Sequence, residues 1–79
     1  MNDEANIVWE NTVDQGAWAV KVERTEEPYR GILTIVRTSD GKEVHREDVG
    51  LSYDAIFGPD VADVADWEDR CIAVIDAQE

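Results

Sequence analysis

Apolar and polar residues alternate along the first half of the chain, and the period changes near residue 60. Residues 17–25 place Trp18, Val20 and Val22 on one face and Lys21, Glu23 and Thr25 on the other. That is the pattern of a strand with one buried face. Glu26-Glu27-Pro28 interrupts it. Residues 29–38 follow with the run Ile32-Leu33-Thr34-Ile35-Val36, β-branched and apolar as a central strand requires. Ser39-Asp40-Gly41 signals a hairpin, and the charged residues 42–49 suit an edge strand. Upstream, Ile7-Val8-Trp9 opens a weaker strand over 6–13, closed by the turn residues Asp14-Gln15-Gly16. Residues 1–5 are polar and expected to fray.

Beyond Gly50, Tyr53, Ile56 and Phe57 form an apolar cluster, expected as one helical turn against the sheet. Gly58-Pro59-Asp60 then starts a helix predicted over 60–77. Pro59 is expected in its first turn, with Asp60 and Asp63 at its positive end. Val61, Val64, Ala65, Trp67, Cys71, Ile72, Val74 and Ile75 cover an arc of about 180° at 100° per residue. Asp63, Asp66, Asp69, Arg70 and Asp76 lie on the opposite arc. The fold class these patterns predict is α+β. A small antiparallel β-meander of three to four strands carries one C-terminal helix packed on one face, in one domain over residues 1–79. Trp18, Val20, Val22, Val64, Trp67, Ile72 and Ile75 are the expected core.

Composition changes this picture mainly through charge. Apolar residues make up 43% of the chain, enough for a folded core. Nineteen acids against seven bases leave a net charge of −12. Such a surface repels nucleic acid and anionic membranes and selects cations and basic protein surfaces. Self-repulsion costs stability, so salt is expected to stabilise the fold. No apolar run approaches the roughly 18 residues of a membrane-spanning helix. Met1-Asn2-Asp3-Glu4 lacks a basic stretch before an apolar one, so no secretory signal is visible and a cytoplasmic location is expected. Abundant Asp, Ala and Val, with Arg favoured over Lys, point to a high-GC genome such as that of an actinobacterium or its phage.

The candidate chemistry is sparse. One cysteine and one histidine exclude an internal disulfide and the usual four-ligand zinc site within one chain. Strict alternation would put Glu43, His45 and Glu47 on one face; an exposed edge-strand histidine is the expected reading, and a pH switch or half of a metal site the alternative. The pattern offers no further ligands. Cys71, on the apolar arc, is expected to be a buried, inert thiol. Glu68 projects into that arc and must be paired, reach the rim, or shift its pKa; a rim position paired with a strand base such as Lys21 or Arg24 is expected, a functional carboxylate or a buried contact in an oligomer being the alternatives. The helical acids recur at i, i+3, unlike the alternate positions of a calcium-binding loop. No phosphate-binding glycine loop or nucleophile elbow occurs. The expectation is a protein without cofactor, metal site or catalysis.

What remains is the acidic helix and one tryptophan. Six acids against Arg70 along about 27 Å give roughly one net charge per 5 Å, compared with about one per 1.7 Å in duplex DNA. Asp60, Asp63, Asp66, Asp69 and Asp76 are the expected partner-binding residues. Trp9, in a weak terminal strand, joins them as a candidate aromatic anchor if exposed, and otherwise is expected to cap an open end of the sheet. The expected function is non-catalytic docking on a basic surface of a protein partner, such as a nucleic-acid-binding protein. Its sharper form is an inhibitor that imitates nucleic acid. The alternative is a structural or assembly subunit, a homodimer or complex component, whose acidic face is only solvated.

Overall fold

The computed structural model describes residues 6–52 and 58–78. Strands β1 (Ile7–Val13), β2 (Trp18–Arg24), β3 (Arg30–Arg37) and β4 (Lys42–Gly50) form an antiparallel sheet in the order β1-β2-β3-β4. Helix α1 (Val61–Gln78) follows. This is the α+β meander with a C-terminal helix that the hydrophobic pattern predicts. The expectations for residues 1–5 and for Tyr53, Ile56 and Phe57 lie outside the described residues.

Local chemistry sets the first and third hairpins. Between β1 and β2, Gln15 and Gly16 have φ of 56° and 89°, and Ala17 N donates to Asp14 O at 3.1 Å. Positive φ at the two central residues is what a tight hairpin turn between twisted strands demands, and Asp14 before them is left-handed as well, with φ 55°. Thr38 pins this turn to the neighbouring hairpin, its hydroxyl donating to Gly16 O at 2.7 Å. Between β3 and β4, Gly41 takes φ 69° and its N–H donates to Arg37 O at 2.8 Å. The Arg37 guanidinium forks onto Asp40 at 3.2 and 2.8 Å. That hydrogen bond, with the Lys42 N–H behind it, holds the Asp40 carboxyl down at about 2.

The register assigns the faces. Val22 lies between Trp9 and Leu33, and Val20 between Asn11 and Ile35. Leu33 lies opposite Glu47, and Gly31 opposite Val49. Trp18, Val20, Val22, Leu33, Ile35, Val49 and Leu51 form one buried layer, closed by Trp67, Cys71 and Ile75 of α1. Gly31 makes room for Leu51: a Cβ there would stand 3.1 Å from both a Leu51 methyl and Glu23 O.

Each edge strand carries a bulge. The β1–β2 register shifts between Ile7 and Trp9, leaving Val8 as the extra residue. Val8 and Trp9 both pack against the core. On β4, Ile35 pairs with His45 but Val36 pairs with Glu43, leaving Val44 extra. The bulge interrupts alternation. Glu43 therefore turns to the face opposite His45 and Glu47, where Arg46 meets it at 3.1 Å. The shared face expected for Glu43, His45 and Glu47 is not formed.

Helix α1 begins with reciprocal capping. Asp63 N donates to Asp60 Oδ1 at 2.9 Å, and Asp60 N donates to Asp63 Oδ2 at 3.3 Å. Asp60 is thus the N-cap, with Asp63 returning the bond from N3. The sequence pattern predicts Pro59 in the first turn; it instead precedes the Asp60 cap, outside the helix. Asp60→Ala should cost about 1 kcal/mol, and Asp60→Asn much less. Urea denaturation followed by circular dichroism compares the two.

The helix buries less of its apolar arc than predicted. Trp67, Cys71 and Ile75 are buried, and Val64 and Val74 pack beside them. Ile72, expected in the core, is 46% exposed, and Val61 is 86% exposed. A helix resting on one sheet presents about 100° of its circumference to it. The rest of a 180° arc stays in solvent.

Candidate functional site

The sequence-predicted acids do not form one uniform face. Asp60 and Asp63 are engaged in the cap. Asp66 binds Arg70 Nε at 3.0 Å. Arg70 also reaches Glu47 on β4 at 3.1 Å, and the other oxygen of Glu47 meets His45 Nε2 at 3.1 Å. A polar chain Asp66–Arg70–Glu47–His45 therefore ties the helix to the β4 edge. Its members are partly exposed, so solvent screens each pair and leaves it a small contribution to stability. The hydrogen bond and charge of Asp66, then the charge of Glu47, raise the Arg70 pKa and keep it protonated.

Glu68, Asp69 and Asp76 have no ion-pair partner among the described residues. Lys21 is not the partner of Glu68. It lies on the sheet face away from α1 and binds Glu23 at 3.0 Å. Trp9 is not a projecting anchor either. It is partly buried, and its ring lies 5.7 Å from that of Trp67, tilted by 42°. Trp9 pairs opposite Val22, in unbroken register with Asn11 opposite Val20 and Val13 opposite Trp18, and this places it on the buried face.

The bases are largely consumed within the chain. Arg30 binds Glu27 at 3.5 Å, Arg37 binds Asp40 at 2.8 Å and Arg46 binds Glu43 at 3.1 Å. With Lys21 and Arg70, these account for most of the seven positive side chains. The net charge of −12 is therefore expressed by carboxylates without an internal counter-charge.

The second sheet face has no covering layer among the described residues. Thr34 at its centre is only 4% exposed. Its cross-strand neighbours Lys21 and Arg46 flank it, and their long stems shield it. Toward β1, a depression of about 500 Å³ is lined by Glu10, Thr12, Ala19, Lys21 and Val36.

Nucleophilic chemistry has little foothold. Cys71 is fully buried, and burial, with the charges of Glu47 and Glu68, pushes its thiol up to about 11. An unfolded thiol ionises near ~8.5, so the folded state is the one that holds the proton. The resulting stability is present below about pH 8.5 and is lost as pH rises toward 11. Thiol labelling of the native protein should therefore be slow and should accelerate in parallel with urea unfolding. Rapid native labelling would contradict the buried placement. Among the described residues, no three His, Cys, Asp or Glu side chains gather as a metal site. No helix there is long and apolar enough to cross a membrane.

Sequence reasoning missed the Glu47–Arg70 link and the exposed flank of α1. The first joins residues 23 apart in the chain, a separation at which no local pattern gives a signal. The second was legible in part, because the apolar arc was wider than one contact needs. No family model, curated protein or solved structure matches the chain, so its functional reading rests on its own residues and geometry.

Proposed function

We propose that this is a small acidic accessory protein that docks, without catalysis, on a basic surface of a protein partner through the outward face of α1. The observation that carries this reading is the internal use of the bases. Five of them bind carboxylates of the same chain, so the excess negative charge has no local counterpart. Asp69 and Asp76 are its centre, with Asp66 half-satisfied by Arg70. Asp60 and Asp63 serve the helix cap first. Trp9 supports the helix from beneath by packing on Trp67.

Charge steering of this kind gives fast, salt-sensitive association. The test is a tagged pull-down eluted in rising salt, with Asp69→Lys/Asp76→Lys in parallel. A partner released by moderate salt and lost by the double variant supports docking. Release by competing DNA would support imitation of nucleic acid. Recovery that ignores both salt and the variant would sink the proposal.

The uncovered sheet face favours a second reading, an assembly subunit that pairs through Ala19, Ile32 and Val36. Light scattering at several concentrations separates the two. A concentration-dependent doubling of mass, removed by Val36→Lys, would favour assembly.

A further inference from the structure

The apolar arc of α1 is wider than the sheet it covers. At 100° per residue, Val61, Ala65, Glu68 and Ile72 fall within about 60° of one another, beside the buried stripe of Trp67, Cys71 and Ile75. Their spacing is i, i+4, i+7, i+11, the repeat by which one helix seats against another. Two of the three large exposed hydrophobic residues in the described chain lie here, Val61 at 86% and Ile72 at 46%. A groove of about 370 Å³ runs along the first half of this stripe, lined by Pro59, Val61, Val64, Ala65 and Glu68. Glu68 sits in the middle of the stripe, partly buried and without an ion-pair partner among the described residues.

We infer that this flank is a helix-docking seam, and that its occupant is a partner's amphipathic helix carrying a Lys or Arg amid its apolar stripe. The inference rests on the proposed docking function and specifies the partner's chemistry. Charge decides the occupant. A second copy, parallel or antiparallel in register, would set Glu68 against Glu68, and like charges in a desolvating seam disfavour that pairing. A purely apolar helix would bury Glu68 without compensation. A basic residue at that point satisfies it, and Asp69 and Asp76 beside the seam add long-range attraction. Val61, Ala65 and Ile72 would receive the apolar residues on either side.

The probe is a synthetic amphipathic peptide of about 18 residues, the length of α1, with Leu and Ala at heptad spacing and one central Lys. Two controls carry Glu in place of that Lys or a scrambled order. Binding is read by fluorescence anisotropy and by amide chemical shifts of the isotope-labelled full chain. The Lys peptide should bind with shifts centred on Val61, Ala65, Glu68 and Ile72. The Glu peptide should bind about tenfold more weakly. Glu68→Lys should invert that preference, and Ile72→Asp should abolish binding while circular dichroism shows a native fold. No preference between the peptides, or shifts centred on the open sheet face, would overturn the seam. So would a wild-type dimer in sedimentation that Ile72→Asp dissolves, because the occupant would then be a second copy. The titration reads the seam alone. If a salt-eluted partner is lost by the Asp69/Asp76 variant but retained by both Glu68→Lys and Ile72→Asp, the docking function stands and this inference fails.

Discussion

Trp67→Ala is expected to remove about 3–5 kcal/mol of stability, the usual cost of truncating a large core aromatic. Trp67 is only 2% exposed, and Trp9 packs on it at 5.7 Å. The substitution empties the space between helix and sheet and strips Trp9 of its contact, which adds about 0.5–1.5 kcal/mol for an aromatic pair. A chain of this length has roughly 4–12 kcal/mol in total. Most of the stability margin would disappear, and α1 would lose its main anchor. Far-ultraviolet circular dichroism in urea is the suitable measurement, because removing a tryptophan alters fluorescence directly. A midpoint close to wild type would mean that α1 is not held by this residue. Trp67→Phe should restore much of the loss by refilling part of the volume.

Leu33→Ala should cost about 2–5 kcal/mol. Leu33 is fully buried on the central strand β3, with Val22 and Glu47 as its cross-strand neighbours. The cavity would open under the helix, where the surrounding β-branched residues have few alternative rotamers with which to refill it. Ile72→Ala is the informative comparison. It removes a similar side chain from the same apolar arc identified in the sequence, yet Ile72 is 46% exposed. Its effect should stay within about 0.5 kcal/mol. Equal losses at the two positions would show that α1 packs in a different rotation from the one described. Unequal losses in the expected order would also leave the Ile72 flank free for a partner.

The elements themselves were legible because they follow local periodicity. Trp18, Val20 and Val22 alternate with Lys21 and Glu23, and the strand they predict is β2 with those three buried. The shift to helical spacing after Asp60 placed α1 within a residue of its observed ends. Turn chemistry at Gly16 and Gly41 announced the first and third of the three hairpins, since each has the positive φ that glycine supplies. The candidate site was less legible. Asp69 and Asp76 face outward as their spacing implies. Asp60, Asp63 and Asp66, at the same spacing, are committed to a cap and an ion pair. A list of acids does not distinguish a carboxylate that holds its own fold from one that awaits a partner.

By itself the sequence determined the meander and its closing helix, the negative surface and the single buried thiol. Periodicity, turn residues and charge are local or additive properties, and they survive without knowledge of the fold. Tertiary structure alone decided which half of the helix's apolar arc meets the sheet and which half remains in water. It also decided that Trp9 packs inward on Trp67, that the bulge at Val8 sets Ile7 on the face opposite Trp9, and that the bulge at Val44 sets Glu43 on the face opposite His45. One inserted residue reverses the facing of everything beyond it, and the width of a helix's contact depends on the surface it meets. Neither quantity is written in the residues of a single element.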